Sequence, residues 1–376
     1  MCQYCYQNPM RDSGNVANHY NMESMKSAIR EIDEPFVLFG GEPLLMPIDD
    51  LEHLWAWGLK KYGQNACQTN ATLITEQHIN LFKKYQVKVG VSVDGPGEMN
   101  DTRWAGSLKK TRELSLKTHQ AIERLCQASI PPSIIITLHK GNGTADKLQL
   151  LGKWIKHLDD IGISKVRLHI LEIDSPENRE MFAISKQENV DAYLFFLKLE
   201  NELENIRFDV FDDMRRLLMG DDNQTGCVWN TCDPYTTKAV KGVEGFGQQS
   251  NCGRTNKDGI DFIKSQTPGY ERQLALYQVP QAYNGCKDCR FFMMCKGNCP
   301  GTGASSDWRN RSEYCHVWFQ LFEHFEQDLI KQGKQPLSIH PKRQEIEQRL
   351  LTSWQSGVEE SIASAINNSI GVLCSS

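Results

Sequence analysis

The sequence lacks the long apolar run of a membrane-spanning protein. No uninterrupted apolar stretch approaches the roughly 18–20 residues that span a bilayer, and the chain does not open on a charged-then-apolar signal pattern. It also lacks a long basic run, and its formal net charge is −5. These absences argue against a surface that binds nucleic acid or anionic lipid. We expect a cytoplasmic protein that acts on peptides or small molecules, with no nucleic-acid or membrane partner.

Thirteen cysteines are present, but a chain of 376 residues is not the short secreted domain in which cysteines form a disulfide framework. Metal binding explains them better. One stretch reads CX2CX5CX3C and contains Cys286, Cys289, Cys295 and Cys299. Soft thiolates at such short spacings bind metal ions or iron–sulfur clusters. Three others fit no recognisable spacing, and we expect the first two to be small buried residues: Cys67, Cys126 and Cys374.

The first 175 residues alternate short apolar runs with amphipathic segments, which predicts βα units around a parallel sheet. The predicted strands are Phe36–Phe39, Ala66–Thr69, Val87–Val93, Ser133–Leu138 and Lys165–Ile170. This many sequential units favours an α/β fold of the partial-barrel type, with its chemistry at the carboxyl ends of the strands. We predict a barrel over 1–175, a helical connector over 176–225, a cysteine-rich domain over 226–325, and a C-terminal helix and tail over 326–376.

Two loops that follow predicted strands are glycine-rich and carry a carboxylate. One reads GGEP at residues 40–43, and the other begins at Asp94 and continues with Gly95. Paired glycines let a ligand approach the backbone, and a glutamate beside them can accept hydrogen bonds from an ammonium group. Asn70 follows a third predicted strand. Each of these signals is also typical of an ordinary turn.

The chain opens on MCQYCY, in which Cys2 and Cys5 resemble the end of the CX3CX2C loop of radical S-adenosylmethionine (radical SAM) enzymes. Residues 40–43 look like the family's GGE motif, and Ser92 lies in a segment similar to its fourth-strand motif. In this family three thiolates hold a [4Fe–4S] cluster whose open iron binds S-adenosylmethionine, and cleavage of that molecule yields a 5′-deoxyadenosyl radical. The resemblance implies an S-adenosylmethionine site formed by Gly40, Gly41, Glu42, Pro43, Asn70 and Ser92.

One element of this resemblance is missing, because the first cysteine of CX3CX2C would lie before Met1. The family's first barrel strand would also lie there. We therefore expect a truncated sequence or a misplaced start codon, and we expect the chain as written to be inactive. The alternative is a protein that has lost its catalytic cluster and serves in electron transfer or peptide binding. In-frame codons upstream of Met1 for a strand and a further cysteine would favour the enzyme.

The C-terminal cysteines match the SPASM domain of radical SAM enzymes that modify peptides and proteins. The pattern is CX14GX4C from Cys232 to Cys252, then CX2CX5CX3C, then Cys315, with Cys227 as an eighth candidate. The family's interleaved arrangement implies two auxiliary [4Fe–4S] clusters. The first would be bound by Cys227, Cys232, Cys252 and Cys299, and the second by Cys286, Cys289, Cys295 and Cys315.

Zinc is the competing interpretation of this cysteine pattern, since CX2C pairs also form tetrahedral four-thiolate sites. The upstream radical SAM motifs make zinc the weaker hypothesis. His316 follows Cys315 directly, but the eight cysteines already complete two sets of four. We therefore expect His316 to lie at the surface or to hydrogen-bond a ligand, without binding metal itself.

The resemblance implies hydrogen-atom abstraction from a peptide side chain, which gives a cross-link or an oxidised residue in a ribosomally made peptide. A low-potential donor such as flavodoxin or ferredoxin would supply electrons. Anaerobic sulfatase maturases, which form formylglycine, are the alternative branch. They carry a carboxylate directly after the third SPASM cysteine, where this chain has Gly253. The candidates for a general base are Glu172 and Asp174, although carboxylates in such loops are more often exposed to solvent.

Overall fold

A parallel β-sheet is the centre of the N-terminal half of the computed structural model, which describes residues 2–8, 19–173, 175–237, 241–256, 264–267 and 269–370. Six strands pair in chain order, and every pair is parallel. They are β1 (Val37–Leu38), β2 (Asn65–Thr69), β3 (Val87–Ser92), β4 (Ser133–Leu138), β5 (Lys165–Ile170) and β6 (Arg207–Phe208). Sequential parallel pairing is the arrangement of a partial α/β barrel, so the predicted fold class is confirmed.

Helices precede, separate and follow these strands. They are α1 (Met22–Ile32), α2 (Ile48–Tyr62), α3 (Glu76–Lys84), α4 (Leu108–Gln127), α5 (Ala145–Asp160), α6 (Pro176–Phe182), α7 (Lys186–Glu200) and α8 (Asp209–Leu218). Helix α7 begins with a reciprocal cap: Glu188 N donates to Ser185 Oγ at 3.1 Å, and Ser185 N donates to Glu188 Oε2 at 2.7 Å. This cap satisfies two N–H groups that have no partner within the helix.

The strands β4 and β5 have their predicted bounds, whereas β1 is shorter than predicted. It ends before Gly40, whose φ of +136° turns the chain out of the extended conformation. Strand β6 was not predicted and lies within 176–225, where the sequence indicates helices. A strand of two residues is too short to show a period of two, so only its pairing with β5 reveals it.

The cysteine-rich part has short elements and long loops. Its elements are β7 (Gly242–Val243), β8 (Gln249–Ser250), α9 (Gly253–Asn256), α10 (Glu271–Gln278) and α11 (Phe292–Cys295), followed by α12 (Cys315–Lys331), α13 (Arg343–Gln355) and α14 (Ile362–Ile370). Single turns of 3-10 helix occur at Pro43–Leu45, Gly97–Asn100, Cys227–Trp229, Pro300–Thr302, Ala304–Ser306 and Leu337–Ile339. Within the described ranges, no helix is long and apolar enough to cross a membrane.

Helix α12 joins the sheet to the cysteine-rich part. The ring of Trp318 lies 5.6 Å from that of Tyr193 on α7 and 5.4 Å from that of Trp229. Phe325 lies 5.9 Å from Phe211 on α8. Burial of each such large apolar side chain stabilises the fold by about 1.5–3 kcal/mol. The two parts therefore share one hydrophobic core.

Candidate functional site

The segment 2–8, called here the CX2C loop, packs against the loop that follows β3. Gln3 N donates to Thr102 O at 2.8 Å. Tyr4, which stands between the two cysteines, is buried and donates its hydroxyl to Asp94 Oδ2 at 2.5 Å. Its ring centroid lies 5.4 Å from that of His139. The CX2C loop is thus fixed to the carboxyl ends of the central strands, where barrel chemistry takes place.

Asp94 is fully buried and forms a two-point ion pair with Arg103. Arg103 Nε donates to Asp94 Oδ2 and Nη2 donates to Oδ1, both at 2.9 Å. Burial raises the pKa of Asp94, but Arg103 and His139 outweigh burial and hold that pKa below its usual range. Arg103 Nη1 also donates to Cys2 Sγ at 3.7 Å. One half-buried arginine therefore connects the Asp94 carboxylate with a thiol of the CX2C loop.

The two members of this pair differ in how visible they are in the sequence. Asp94 directly follows a predicted strand, so its position at the sheet edge is predictable. Arg103 comes nine residues later in a polar loop, and no spacing or motif distinguishes it. Its role depends on the return of this loop over the strand ends, which only the structure shows.

The GGEP motif lies at the same edge of the sheet. Thr69 Oγ1 donates to Glu42 Oε1 at 2.6 Å, and Asn70 N donates to Glu42 Oε2 at 2.9 Å. No atom lies within 4 Å of a Cβ built on Gly40 or Gly41, so the backbone there borders open space. Glu42 is therefore held by the end of β2 beside a backbone that a ligand can approach.

The remaining residues predicted to bind S-adenosylmethionine follow the same edge. Gln68 Nε2 donates to Ser92 Oγ at 3.3 Å across β2 and β3. Asn70 Oδ1 accepts from Thr72 N at 2.9 Å, which is the turn that the sequence also allowed. The structure thus brings Glu42, Asn70 and Ser92 to neighbouring strand ends, and their part in binding remains a prediction.

Glu172, a candidate base, follows β5 and pairs with an arginine that the sequence did not single out. Arg254 Nε lies 2.8 Å from Glu172 Oε1. The same guanidinium is 2.9 Å from His169 Nδ1 and donates to Cys299 Sγ at 3.9 Å. Burial, reinforced by Arg254, lowers the pKa of His169 well below its usual value, which favours a neutral ring. The other candidate base, Asp174, lies outside the described residues.

Tyr6 of the CX2C loop faces the cysteine-rich part. Burial raises the pKa of its hydroxyl, and the charges that act on it include Glu172, Arg254, Cys252 and Cys5. A Cβ built on Gly253 would lie 3.3 Å from Tyr6 Cε2 and 3.3 Å from Gln7 Nε2. The start of α9 therefore packs against the CX2C loop, so Cys5 and Cys252 face one neighbourhood.

Four thiols, called here the first thiol set, lie within electrostatic range of one another: Cys227, Cys232, Cys252 and Cys299. The charges of the other three thiols contribute to a raised pKa of Cys232. The charge of Cys299 likewise contributes to the raised pKa of Cys227 and of Cys252. Burial raises the pKa of Cys252 to about 11. These are the cysteines that the SPASM resemblance assigns to one auxiliary cluster.

Four other thiols form a second thiol set: Cys286, Cys289, Cys295 and Cys315. The charges of the remaining three thiols contribute to a raised pKa of Cys295. The charge of Cys315 likewise contributes to the raised pKa of Cys286 and of Cys289. Burial raises the pKa of Cys286 to about 12. The grouping agrees with the second set implied by the resemblance. Exposed His316 contacts Gln320 at 2.9 Å.

Zinc and a four-iron cluster place different demands on these thiols. Among the described residues, no three His, Cys, Asp or Glu side chains are grouped closely enough to hold a single metal ion. Tetrahedral zinc needs all its thiolates about 2.3 Å from one atom. A four-iron cluster is larger and binds one thiolate at each corner. The radical SAM motifs upstream of these thiols remain the reason to prefer clusters over zinc.

Arginines accompany the thiols and fit anionic clusters: Arg272 is buried, and Arg103 and Arg254 are half-buried. Arg103 reaches Cys2, Arg254 reaches Cys299, and Arg272 lies within electrostatic range of Cys232, Cys299 and Cys286. A buried cation is costly unless an anion compensates it. Every cysteine in the described ranges has a free thiol. The donor set and its charges thus suit thiolate-bound iron–sulfur clusters.

Comparison with known proteins identifies the family. The model of the radical SAM superfamily matches residues 1–152. The serine-type anaerobic sulfatase-maturating enzyme of Bacteroides thetaiotaomicron is 33% identical over 363 residues, which cover 86% of this chain and 85% of that protein. The chain belongs to the radical SAM superfamily. A cysteine-type anaerobic sulfatase-maturating enzyme of Clostridium perfringens (strain 13 / Type A) is 25% identical over 369 residues, covering 86% of this chain and 92% of the relative.

Solved structures share the fold of this radical SAM protein. Native anSMEcpe with bound AdoMet aligns with a TM-score of 0.66 at 19% identity, over 88% of this chain and 94% of that one. The same protein with AdoMet and the Cp18Cys peptide gives 0.63 at 20% identity and the same coverage. The predicted membership among SPASM-containing radical SAM maturases is confirmed. The cofactors of this family are S-adenosylmethionine and [4Fe–4S] clusters.

Proposed function

We propose that this radical SAM protein modifies a side chain of a ribosomally made peptide and leaves a cross-link or an oxidised residue. The position of Tyr6 carries the proposal. Its hydroxyl is within electrostatic range of Cys5 in the CX2C loop and of Cys252 in the first thiol set. A peptide side chain bound beside Tyr6 would therefore adjoin both sites.

The residues at these sites fit the family's cofactors. Cys2 and Cys5 would hold the catalytic cluster, and S-adenosylmethionine would lie along residues 40–43, Asn70 and Ser92. The two thiol sets would hold the auxiliary clusters. When bound, these groups supply a hydrogen-abstracting radical and a path for electrons. Flavodoxin or ferredoxin is the proposed electron donor.

Glu172 is the proposed proton acceptor. Its side chain is buried, and Arg254 Nε lies 2.8 Å from Oε1 of its carboxylate. The carboxylate is also within electrostatic range of the Tyr6 hydroxyl. Bond formation between two side chains removes two hydrogen atoms, one as an atom and the other as a proton and an electron. A carboxylate in a fixed position can accept that proton without rearrangement. Arg254 keeps the carboxylate in place.

Gly253 is the residue that leads us to propose cross-linking in preference to formylglycine formation. In the resemblance described above, sulfatase maturases carry a carboxylate at this position. Here a Cβ at Gly253 would already lie 3.3 Å from both Tyr6 Cε2 and Gln7 Nε2. The tight contact supports a reaction that does not use a base on α9.

The proposal is tested with the protein expressed from its gene together with any in-frame codons upstream of Met1. After anaerobic reconstitution with iron and sulfide, it is incubated with S-adenosylmethionine and a precursor peptide encoded beside the gene. We expect 5′-deoxyadenosine and a peptide that has lost two hydrogen atoms. Tandem mass spectrometry should give no backbone fragments from the segment between two cross-linked residues, or should place the mass loss on one oxidised residue.

Glu172→Gln is expected to reduce product by about tenfold or more while leaving S-adenosylmethionine binding intact, because glutamine cannot accept the proton but keeps an oxygen for Arg254. Glu177→Gln, at an exposed position on α6, is the matched control. Absence of 5′-deoxyadenosine from the reconstituted protein would contradict enzyme function and favour an electron-transfer or peptide-binding protein.

Formylglycine formation is the second candidate, because two of the relatives described above are named as sulfatase-maturating enzymes. A sulfatase-derived peptide with cysteine or serine at the modified position tests it in the same reaction. An aldehyde that reacts with a hydrazide probe would support this candidate. A cross-linked product without aldehyde would exclude it for that substrate.

A further inference from the structure

Helix α10 presents Arg272 to the space between the two thiol sets. Five backbone carbonyls accept hydrogen bonds from its guanidinium. Nη1 donates to Asn298 O at 3.1 Å and to Cys232 O at 3.4 Å, and Nη2 donates to Gly297 O at 3.2 Å and to Asn310 O at 3.0 Å. Nε donates to Trp308 O at 2.7 Å. One side chain thus joins the loop at Cys232, the turn between Cys295 and Cys299, and the loop that precedes Cys315.

The charge of this guanidinium is not balanced through those hydrogen bonds, since carbonyl oxygens are neutral. Only 3% of Arg272 is exposed. The nearby carboxylate of Asp233 accepts the backbone N–H of Arg272 at 3.0 Å and those of Tyr235 and Thr236. The thiols within electrostatic range of the guanidinium are Cys232 and Cys299 of the first set and Cys286 of the second.

The packing around the guanidinium leaves little freedom for another arrangement. Gly297 has a φ of +82°, and a Cβ there would lie 2.4 Å from Leu276 Cδ1 and 3.5 Å from both terminal nitrogens of Arg272. Gln273, the next residue on α10, donates Nε2 to Cys232 O at 3.1 Å. Arginine's planar fork suits several fixed acceptors at once, whereas lysine offers a single point charge.

We infer that Arg272 is a positioning residue shared by both auxiliary sites, and that its fixed charge helps set the reduction potentials of both clusters. A positive charge stabilises the reduced, more negative state of a nearby cluster, and net charge and hydrogen bonding are the main protein controls of such potentials. The inference rests on the proposed ligand sets and is independent of which peptide is modified.

The test is an anaerobic redox titration followed by electron paramagnetic resonance, with iron analysis of each protein. The variants are Arg272→Gln, which removes the charge, and Arg272→Lys, which keeps it. The matched control is Arg309→Gln, since Arg309 is exposed and pairs with Asp307 in the adjacent loop. We expect both auxiliary potentials to become more negative in R272Q at unchanged iron content, and to stay near wild-type values in R272K and R309Q.

Potentials that are unchanged in R272Q, or a shift of one cluster alone, would overturn the role of Arg272. A shift in R272K as large as that in R272Q would also overturn it, because the charge would not be the cause. A wild-type auxiliary content well below about eight irons would instead refute the ligand sets themselves, since two four-iron clusters require that number.

If R272Q does not accumulate, the wild-type protein with 15N-labelled arginine supplies the test. The Arg272 Nε–H resonance is assigned by its absence in R272K. It is expected to change at both auxiliary reduction steps, because both clusters lie near this group. A resonance that responds to one step or to neither would contradict the shared role.

Discussion

The CX2C loop and the cysteine-rich part both present thiols, but the residues that meet at these thiols lie at different separations along the chain. Two anchors of the CX2C loop come from far along the chain: Asp94 is 90 residues from Tyr4, and Arg103 is 101 residues from Cys2. In the cysteine-rich part, four thiols lie within one stretch, Cys286–Cys299, yet Cys299 groups with Cys232 and Cys252. Short spacing therefore predicts ligands, while tertiary contacts decide which of these thiols lie near one another.

Asp94→Ala is expected to have the largest effect, because it removes the main anchor of the CX2C loop. It removes the fully buried carboxylate that pairs with the half-buried guanidinium of Arg103 and accepts from Tyr4. Loss of one partner of a buried pair costs about 3–5 kcal/mol. We expect a loss of that size in chemical denaturation at neutral pH, with faster hydrogen exchange in residues 2–8.

The pH dependence of this contribution follows from the lowered pKa of Asp94. The stabilisation is present above the unfolded-state value of about 3.9 and is lost as the pH falls towards the lower folded-state value. Asp101→Ala is the control, since its pair with Arg112 is more exposed and is worth at most about 1 kcal/mol. An Asp94→Ala loss no larger than that of the control would contradict the anchoring role.

Gly253→Asp tests the contact between the two regions. The new side chain must displace Tyr6 or Gln7, because a Cβ there already lies 3.3 Å from each. Overpacking of this kind costs about 1–3 kcal/mol. Gly253→Ala separates the steric cost from the charge. A G253D protein as stable as the natural one would contradict the tight contact, and formylglycine made by the natural protein would contradict our choice of reaction.

Tyr4→Phe is the mildest change to the CX2C loop. It removes the hydroxyl that Asp94 accepts at 2.5 Å but keeps the ring against His139. A net hydrogen bond to a charged group contributes about 1.5–3 kcal/mol, and Arg103 and Thr137 still satisfy the carboxylate, so we expect the low end of that range. Thermal unfolding of Y4F measures it, with Tyr20→Phe as control because the Tyr20 hydroxyl donates to Asp50 at a less buried site. No change in Y4F would show that the ring alone fixes the loop.

Much of the fold was predictable because its signals are local. The run Ser133–Leu138 is mainly apolar, and Lys165–Ile170 alternates polar with apolar residues. Ser185 and Glu188 have the three-residue spacing of the cap that they form. Strand β6 could not be predicted, since two residues such as Arg207 and Phe208 carry no periodicity. Its pairing depends on β5 and on the helices between them.

Some residues of the candidate site were likewise predictable from the sequence, and others were not. Cysteine spacing and the GGEP motif are visible in the sequence, as is a carboxylate after a strand such as Asp94 or Glu172. The arginines Arg103, Arg254 and Arg272 are not, because a lone arginine in a polar stretch has no spacing that distinguishes it from a surface residue. Each is revealed by burial beside a thiol or a carboxylate.

The most direct measurement of the central claim is the iron content and paramagnetic spectrum of Cys299→Ala, with Cys289→Ala beside it and Cys126→Ala as control. The two thiol sets predict that C299A loses one auxiliary signal, that C289A loses the other, and that C126A retains both. If C299A and C289A removed the same signal and spared the same cluster, the stretch from Cys286 to Cys299 would serve a single site, and the interleaved arrangement would be wrong.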